Sequence, residues 1–147
     1  MKKIMTAIVL SSFALMASAN QGIAFIHGTG QQTDAYNDYW SGDFVNSVRQ
    51  GLPNSSKYTV INCDFDQFMW AEAAAGCLAN QLNSFIANEN ITSLVLLTHS
   101  NGGNVVRWIL SNPTYDSRYP SIINTTSKVI ALAPSSLGTP LADAATQ

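Results

Sequence analysis

Four short, almost wholly apolar runs recur along the chain, and stretches of helical character separate them. The runs are Gly22–His27 (GIAFIH), Lys57–Asn62 (KYTVIN), Ser93–Thr98 (SLVLLT) and Lys128–Ala133 (KVIALA). A run of that length without polar alternation predicts a strand covered on both faces. Between the runs, Phe44, Val45, Val48 and Leu52 keep one helical face, and Leu78, Leu82, Phe85 and Ile86 keep another at i, i+4, i+7 and i+8. Val105, Trp108, Ile109 and Leu110 make a third, which Asn112-Pro113 ends because proline disfavours a helical conformation in its predecessor. The order β-α-β-α-β-α-β demands parallel strands with right-handed crossovers. The predicted fold is α/β, a three-layer α-β-α arrangement on a mainly parallel sheet of four buried strands, with its functional loops at the strand C-termini.

Ahead of that pattern, Met1-Lys2-Lys3 is a short positive head, Ile4–Met16 is apolar apart from Thr6, Ser11 and Ser12, and Ala17-Ser18-Ala19 is a small-residue cleavage site. Residues 1–19 therefore read as a signal peptide and 20–147 as the mature domain, secreted or periplasmic. The apolar stretch is too short to span a bilayer, so no stable membrane anchor is expected. Only 11% of residues are charged and the net charge is -2, with no basic stripe, which excludes a nucleic-acid partner. In an oxidising compartment the two cysteines, Cys63 and Cys77, are expected to pair. No metal-ligand or cofactor spacing surrounds His27 or His99, and Asp34, Asp38, Asp64 and Asp66 lack the spacing of a calcium loop.

The third run passes straight into Thr98-His99-Ser100-Asn101-Gly102-Gly103 and a helix. A serine on a sharp strand-to-helix turn, with glycine two residues on, has its Oγ exposed above the sheet and the first N–H groups of the helix beside it. With that motif the chain resembles the α/β-hydrolase superfamily, and within it secreted bacterial lipases and esterases. Two further stretches carry the resemblance: Ile26-His27-Gly28-Thr29-Gly30 after the first run, similar to the family's oxyanion loop, and Gly138-Thr139-Pro140-Leu141-Ala142-Asp143 after the fourth, similar to a stretch leading into the cap of many lipases. The resemblance implies hydrolysis of a small-molecule or lipid ester, with Ser100 as nucleophile, the backbone N–H groups of Thr29 and Asn101 as oxyanion donors, and no cofactor. It covers Gly22 to the C-terminus and makes 20–147 a partial α/β-hydrolase domain.

The chain departs from the family at Thr98, where a glycine is usual, and in the residues beyond Ser100. Family members continue with an acid and then a histidine on later loops, whereas here no histidine comes after His99. Asp143 stands after a strand, Asp116 stands in a helix-to-strand loop, and neither is expected to serve as the acid. His27 is expected to shape the oxyanion loop and His99 to pack away from Oγ. The reading is of a nucleophile-bearing half of a longer hydrolase, or else of an inactive remnant or binding module. Two aromatic groups, Tyr36, Tyr39 and Trp40 and then Phe65, Phe68, Met69 and Trp70, are candidates for an acyl pocket or for caps on the sheet. A dinucleotide-binding fold is excluded because Gly28-Thr29-Gly30 lacks its third glycine.

Overall fold

The computed structural model describes residues 19–145. Residues 1–18, which hold all but the last residue of the predicted signal peptide, lie outside the described residues. Strands β1 (Gln21–Ile26), β2 (Lys57–Val60), β3 (Ser93–His99) and β4 (Thr126–Leu132) form a sheet in the order β2-β1-β3-β4, with every neighbouring pair parallel. β1 and β3 run side by side at its centre, in register from Gln21 against Ser93 to Ile26 against Thr98.

The alternation of side chains along these two strands divides the core. Ile23 and Phe25 of β1, with Val95 and Leu97 of β3, pack under α1 (Gly42–Gln50), which contributes Phe44, Val45 and Val48. Ala24 and Ile26, with Leu94 and Leu96, point to the other face. There they meet α2 (Cys77–Asn88) through Leu78, Leu82 and Phe85, and α3 (Gly102–Ser111) through Val105, Val106 and Ile109. A central strand covered on both sides has no solvent face, which is why GIAFI and SLVLL read as unbroken apolar runs. The predicted α-β-α layering is therefore the observed one.

Only the two central strands are fully buried. β2 is exposed to half-buried, and β4 is exposed from Ser127 onward, with Val129 at 42%, Ile130 at 36% and Leu132 at 37% of full exposure. The four runs look alike because sequence records the apolar character of a strand and not its place in the sheet. β4 also begins two residues earlier than its apolar run, because a helix absent from the sequence reading feeds it. α4 (Tyr119–Thr125) has Pro120 in its first turn and buries only Tyr119 and Ile122, too few positions to print a periodicity. A last helix, α5 (Pro140–Ala145), follows the GTPLAD stretch. Short π-helical turns at Tyr36–Trp40 and Glu72–Gly76 precede α1 and α2.

Candidate active site

The crossover after β1 leads to β2 on one side, and the crossover after β3 leads to β4 on the other, so the loops leaving β1 and β3 diverge from a common crevice. That switch point is where open α/β sheets bind ligands. His27-Gly28-Thr29 leaves β1 into it, and Ser100-Asn101 leaves β3.

Ser100 has φ of 52°, in the left-handed region that a residue with a Cβ enters only at a cost of about 1–2 kcal/mol. Its N–H donates to the carbonyl of Leu132 at the end of β4 (3.1 Å), and its carbonyl accepts from Gly103 in the first turn of α3 (3.2 Å). The chain thus reverses from strand to helix at this one residue. Gly102 makes the reversal possible, since a Cβ there would press into the carbonyl oxygens of His27 and Ile26. Gly103 sits above Thr98, whose hydroxyl is buried without a partner among the described residues. Thr98 thus occupies the space beneath the turn.

Asn101 anchors the turn sideways. Its amide donates to the carbonyl of Phe65 (3.1 Å), and its Oδ1 accepts from Asn104 (3.1 Å), which also donates to the Ser135 hydroxyl (3.0 Å). The loop after β1 is held as firmly. Phe65 N–H donates to Gly30 O (3.0 Å) and Gln32 N–H to Cys63 O (3.0 Å). Cys63 is itself bonded to Cys77 at the start of α2, so the predicted disulfide is present and clamps the strand-to-helix unit beside the crevice. Among the described residues, neither the Thr29 nor the Asn101 N–H has an acceptor.

The histidines are engaged elsewhere. His27 is fully buried and stacked on Phe65, with ring centroids 4.4 Å apart. Its Nε2 accepts from the N–H of Cys63 (3.2 Å), so the ring proton sits on Nδ1 and is donated to Gly28 O (2.8 Å). Burial pushes its pKa below the usual imidazole value and keeps it neutral. Both nitrogens are used in shaping the loop, which leaves none for a substrate or for Ser100. His99 is half-buried, and its Nδ1 pairs with the hydroxyl of Tyr39. Asp116 is taken by Arg118, which bonds it at 2.7 Å and holds its carboxyl down to about 2; Arg118 also bridges to Glu72 (2.8 Å). Asp143 lies in α5, and its side chain falls outside the described residues.

The aromatic residues and Met69 belong to three places rather than one pocket. Tyr36, Tyr39 and Trp40 pack on the α1 face, where Trp40 meets Phe25 edge-on and stacks on Phe44. Phe65 and Met69 join the opposite core, while Phe68 and Trp70 stack on each other in solvent, with Trp70 beside Trp108. Asp34 bonds Asn37, and Asp64 bonds the Asp66 N–H and Gln67. Among the described residues no three groups converge to hold a metal.

The fold is similar to that of a solved acetyl xylan esterase, an iodinated complex at 1.80 Å, with a TM-score of 0.54 and 19% sequence identity. The likeness is one of fold, an all-parallel α/β sheet with helices on both faces. The match covers 80% of this chain and 64% of that enzyme, so the chain spans less than two thirds of its neighbour's length. No protein-family model matches the chain. No curated protein matches it either.

Proposed function

We propose that the chain is the nucleophile-bearing part of an exported carboxylic ester hydrolase. The left-handed conformation of Ser100 carries this reading, because backbone strain of that kind at a strand-to-helix turn persists where a side chain must be presented. Two free N–H groups, those of Thr29 and Asn101, flank the same crevice. Ser100 Oγ adds to the ester carbonyl and the carbonyl oxygen becomes an oxyanion. Donation from Thr29 and Asn101 favours that charge over the neutral ground state. The tetrahedral centre collapses with loss of the alcohol and leaves an acyl-serine for water to hydrolyse. The proton leaving Oγ needs a base, and the bonds of His27 and of His99 Nδ1 argue for one supplied beyond the described residues.

The neighbour's name speaks of acetyl esters, which makes short-acyl esters the first substrates to try. A lipase is the second reading, from the sequence resemblance to secreted bacterial lipases. Export is part of the proposal: the disulfide fits an oxidising compartment, and among the described residues no helix is long and apolar enough to cross a membrane. Protein recovered from the periplasm or medium should have an intact mass beginning at Asn20.

A fluorophosphonate probe tests the nucleophile. It should modify the mature chain at Ser100, slowly for want of a base, and Ser100→Ala should abolish modification. Equal labelling of Ser100→Ala, or attachment at another residue, rejects the assignment in favour of a non-catalytic module.

A further inference from the structure

We infer that the Tyr39 hydroxyl is a bridge between the two loops of the crevice, and that Tyr39 is a positioning residue for the oxyanion site. The inference rests on the proposed nucleophile reading and adds a residue to it.

Tyr39 comes from the π-helical turn before α1, far in sequence from the turn at Ser100. Its hydroxyl pairs with Nδ1 of His99, the residue immediately before Ser100. The same oxygen lies against Gly28, the residue immediately before Thr29: a Cβ on Gly28 would stand 2.7 Å from it and 3.0 Å from the Ser100 Cβ. The point where β1's loop, β3's turn and the Tyr39 hydroxyl meet is thus too narrow for a methyl group. Burial pushes the phenol above its usual value, with a backbone hydrogen bond from Gly28 acting the other way. In the proposed bridge the neutral hydroxyl donates to His99 Nδ1, and the imidazole proton then sits on Nε2.

Further contacts hold the phenol in place. Its ring packs edge-on against Trp40 (5.3 Å between centroids) and tilts against His99 and His27 (5.7 Å each). Since Thr29 follows Gly28 and Asn101 lies two residues beyond His99, the bridge sets the separation of the two free N–H groups. An oxyanion site works only when both donors meet one oxygen, and a misplacement of about 1 Å costs up to about 10²-fold in rate.

Tyr39→Phe keeps the ring and removes the bridge. In the mature, ¹⁵N-labelled chain, the wild-type His99 ring should show an unprotonated Nδ1 and a protonated Nε2. In Tyr39→Phe the Nδ1 resonance and the Gly28 amide resonance should both move, while those of α2 and α4 stay. Phosphonylation of Ser100 should slow about tenfold to 10²-fold in its limiting rate, with the half-saturating probe concentration unchanged, since binding of the probe is not what the bridge governs. His99→Asn, which keeps an acceptor near the Nδ1 position, should retain the wild-type rate, and His99→Leu should lose it. This pair reads the bridge even if Tyr39→Phe folds poorly.

Resonances that stay put in Tyr39→Phe overturn the bridge, and protonation of His99 at Nδ1 in the wild type overturns the assignment of the Tyr39 hydroxyl as its donor. An unchanged limiting rate in Tyr39→Phe overturns its positioning role. Absence of Ser100 modification in the wild type overturns the nucleophile reading, and with it the bridge's part in the reaction, while the imidazole spectrum still decides whether the bridge exists.

Discussion

Replacing Gly102 with alanine should damage this fold out of proportion to the single methyl group added. The new Cβ would sit 2.9 Å from the carbonyl oxygen of Ile26 and closer still to that of His27. Both obstacles are backbone at the end of a fully buried central strand, so neither can swing aside as a side-chain tip would. The N-terminus of α3 must move away from β1 instead. Overpacking of this kind costs about 1–3 kcal/mol, and two backbone contacts place Gly102→Ala toward the upper end. Against that stands a helix-propensity gain of at most about 1 kcal/mol. The net loss is about 2 kcal/mol, which for an m-value of about 2 kcal/mol/M lowers the urea midpoint by about 1 M.

Gly103→Ala supplies the internal control. Its Cβ would meet only the Thr98 hydroxyl at 3.3 Å, a side-chain atom, while the propensity gain is the same. The midpoint should stay or rise by up to about 0.5 M. Phosphonylation of Ser100 should fall in Gly102→Ala by about 10²-fold, because the displaced helix carries Asn101 with it. Equal midpoints for wild type and Gly102→Ala, or equal shifts for the two alanine variants, would refute the idea that the close approach of α3 to β1 shapes the turn.

Three further outcomes are expected from the geometry. Ser100→Gly removes the Cβ from a left-handed residue, so it should raise stability by about 1 kcal/mol in urea melts while eliminating probe attachment; a destabilised Ser100→Gly contradicts the strain argument. Reducing the Cys63–Cys77 bond, which closes a loop of sequence separation 14, should cost about 3 kcal/mol in the chain-entropy picture and should deprotect the Gln32 amide to hydrogen exchange. His27 is held neutral with its pKa below the unfolded value of 6.5, so the unfolded chain binds the extra proton first as pH falls. Its share of stability is complete above 6.5 and is lost as pH drops from there toward the folded value, so urea midpoints should decline across that window in the wild type and less steeply in His27→Gln.

Much of the architecture was legible in the order of residues, and for a physical reason. A strand covered on both faces must be apolar at every position, and a helix covering it must be apolar on one face, so GIAFI, SLVLL and the Leu78–Ile86 stripe record their own burial. The serine turn was legible too, because a reversal from strand to helix in so few residues requires small residues at fixed offsets, and Gly102 and Gly103 stand at them. The pairing of Cys63 with Cys77 was legible because the sequence has only two cysteines and its first residues predict export.

The order of residues did not determine which neighbours each element acquires. KVIALA is as apolar as the central runs, yet β4 is exposed, because burial also depends on strand order and on the layers that cover it. The short α4 helix left no signal because two buried positions make no period. The partners of the histidines were equally hidden. His27 spends both nitrogens on Gly28 and Cys63, and His99 meets Tyr39, through contacts between residues up to 60 positions apart. Hydrogen bonds of that kind have no sequence period. The bond from Cys63 exists only once the sheet has set the end of β1 beside the loop after β2, and the one between Tyr39 and His99 only once the turn before α1 has packed against the end of β3, so tertiary structure decided which partners the two rings take.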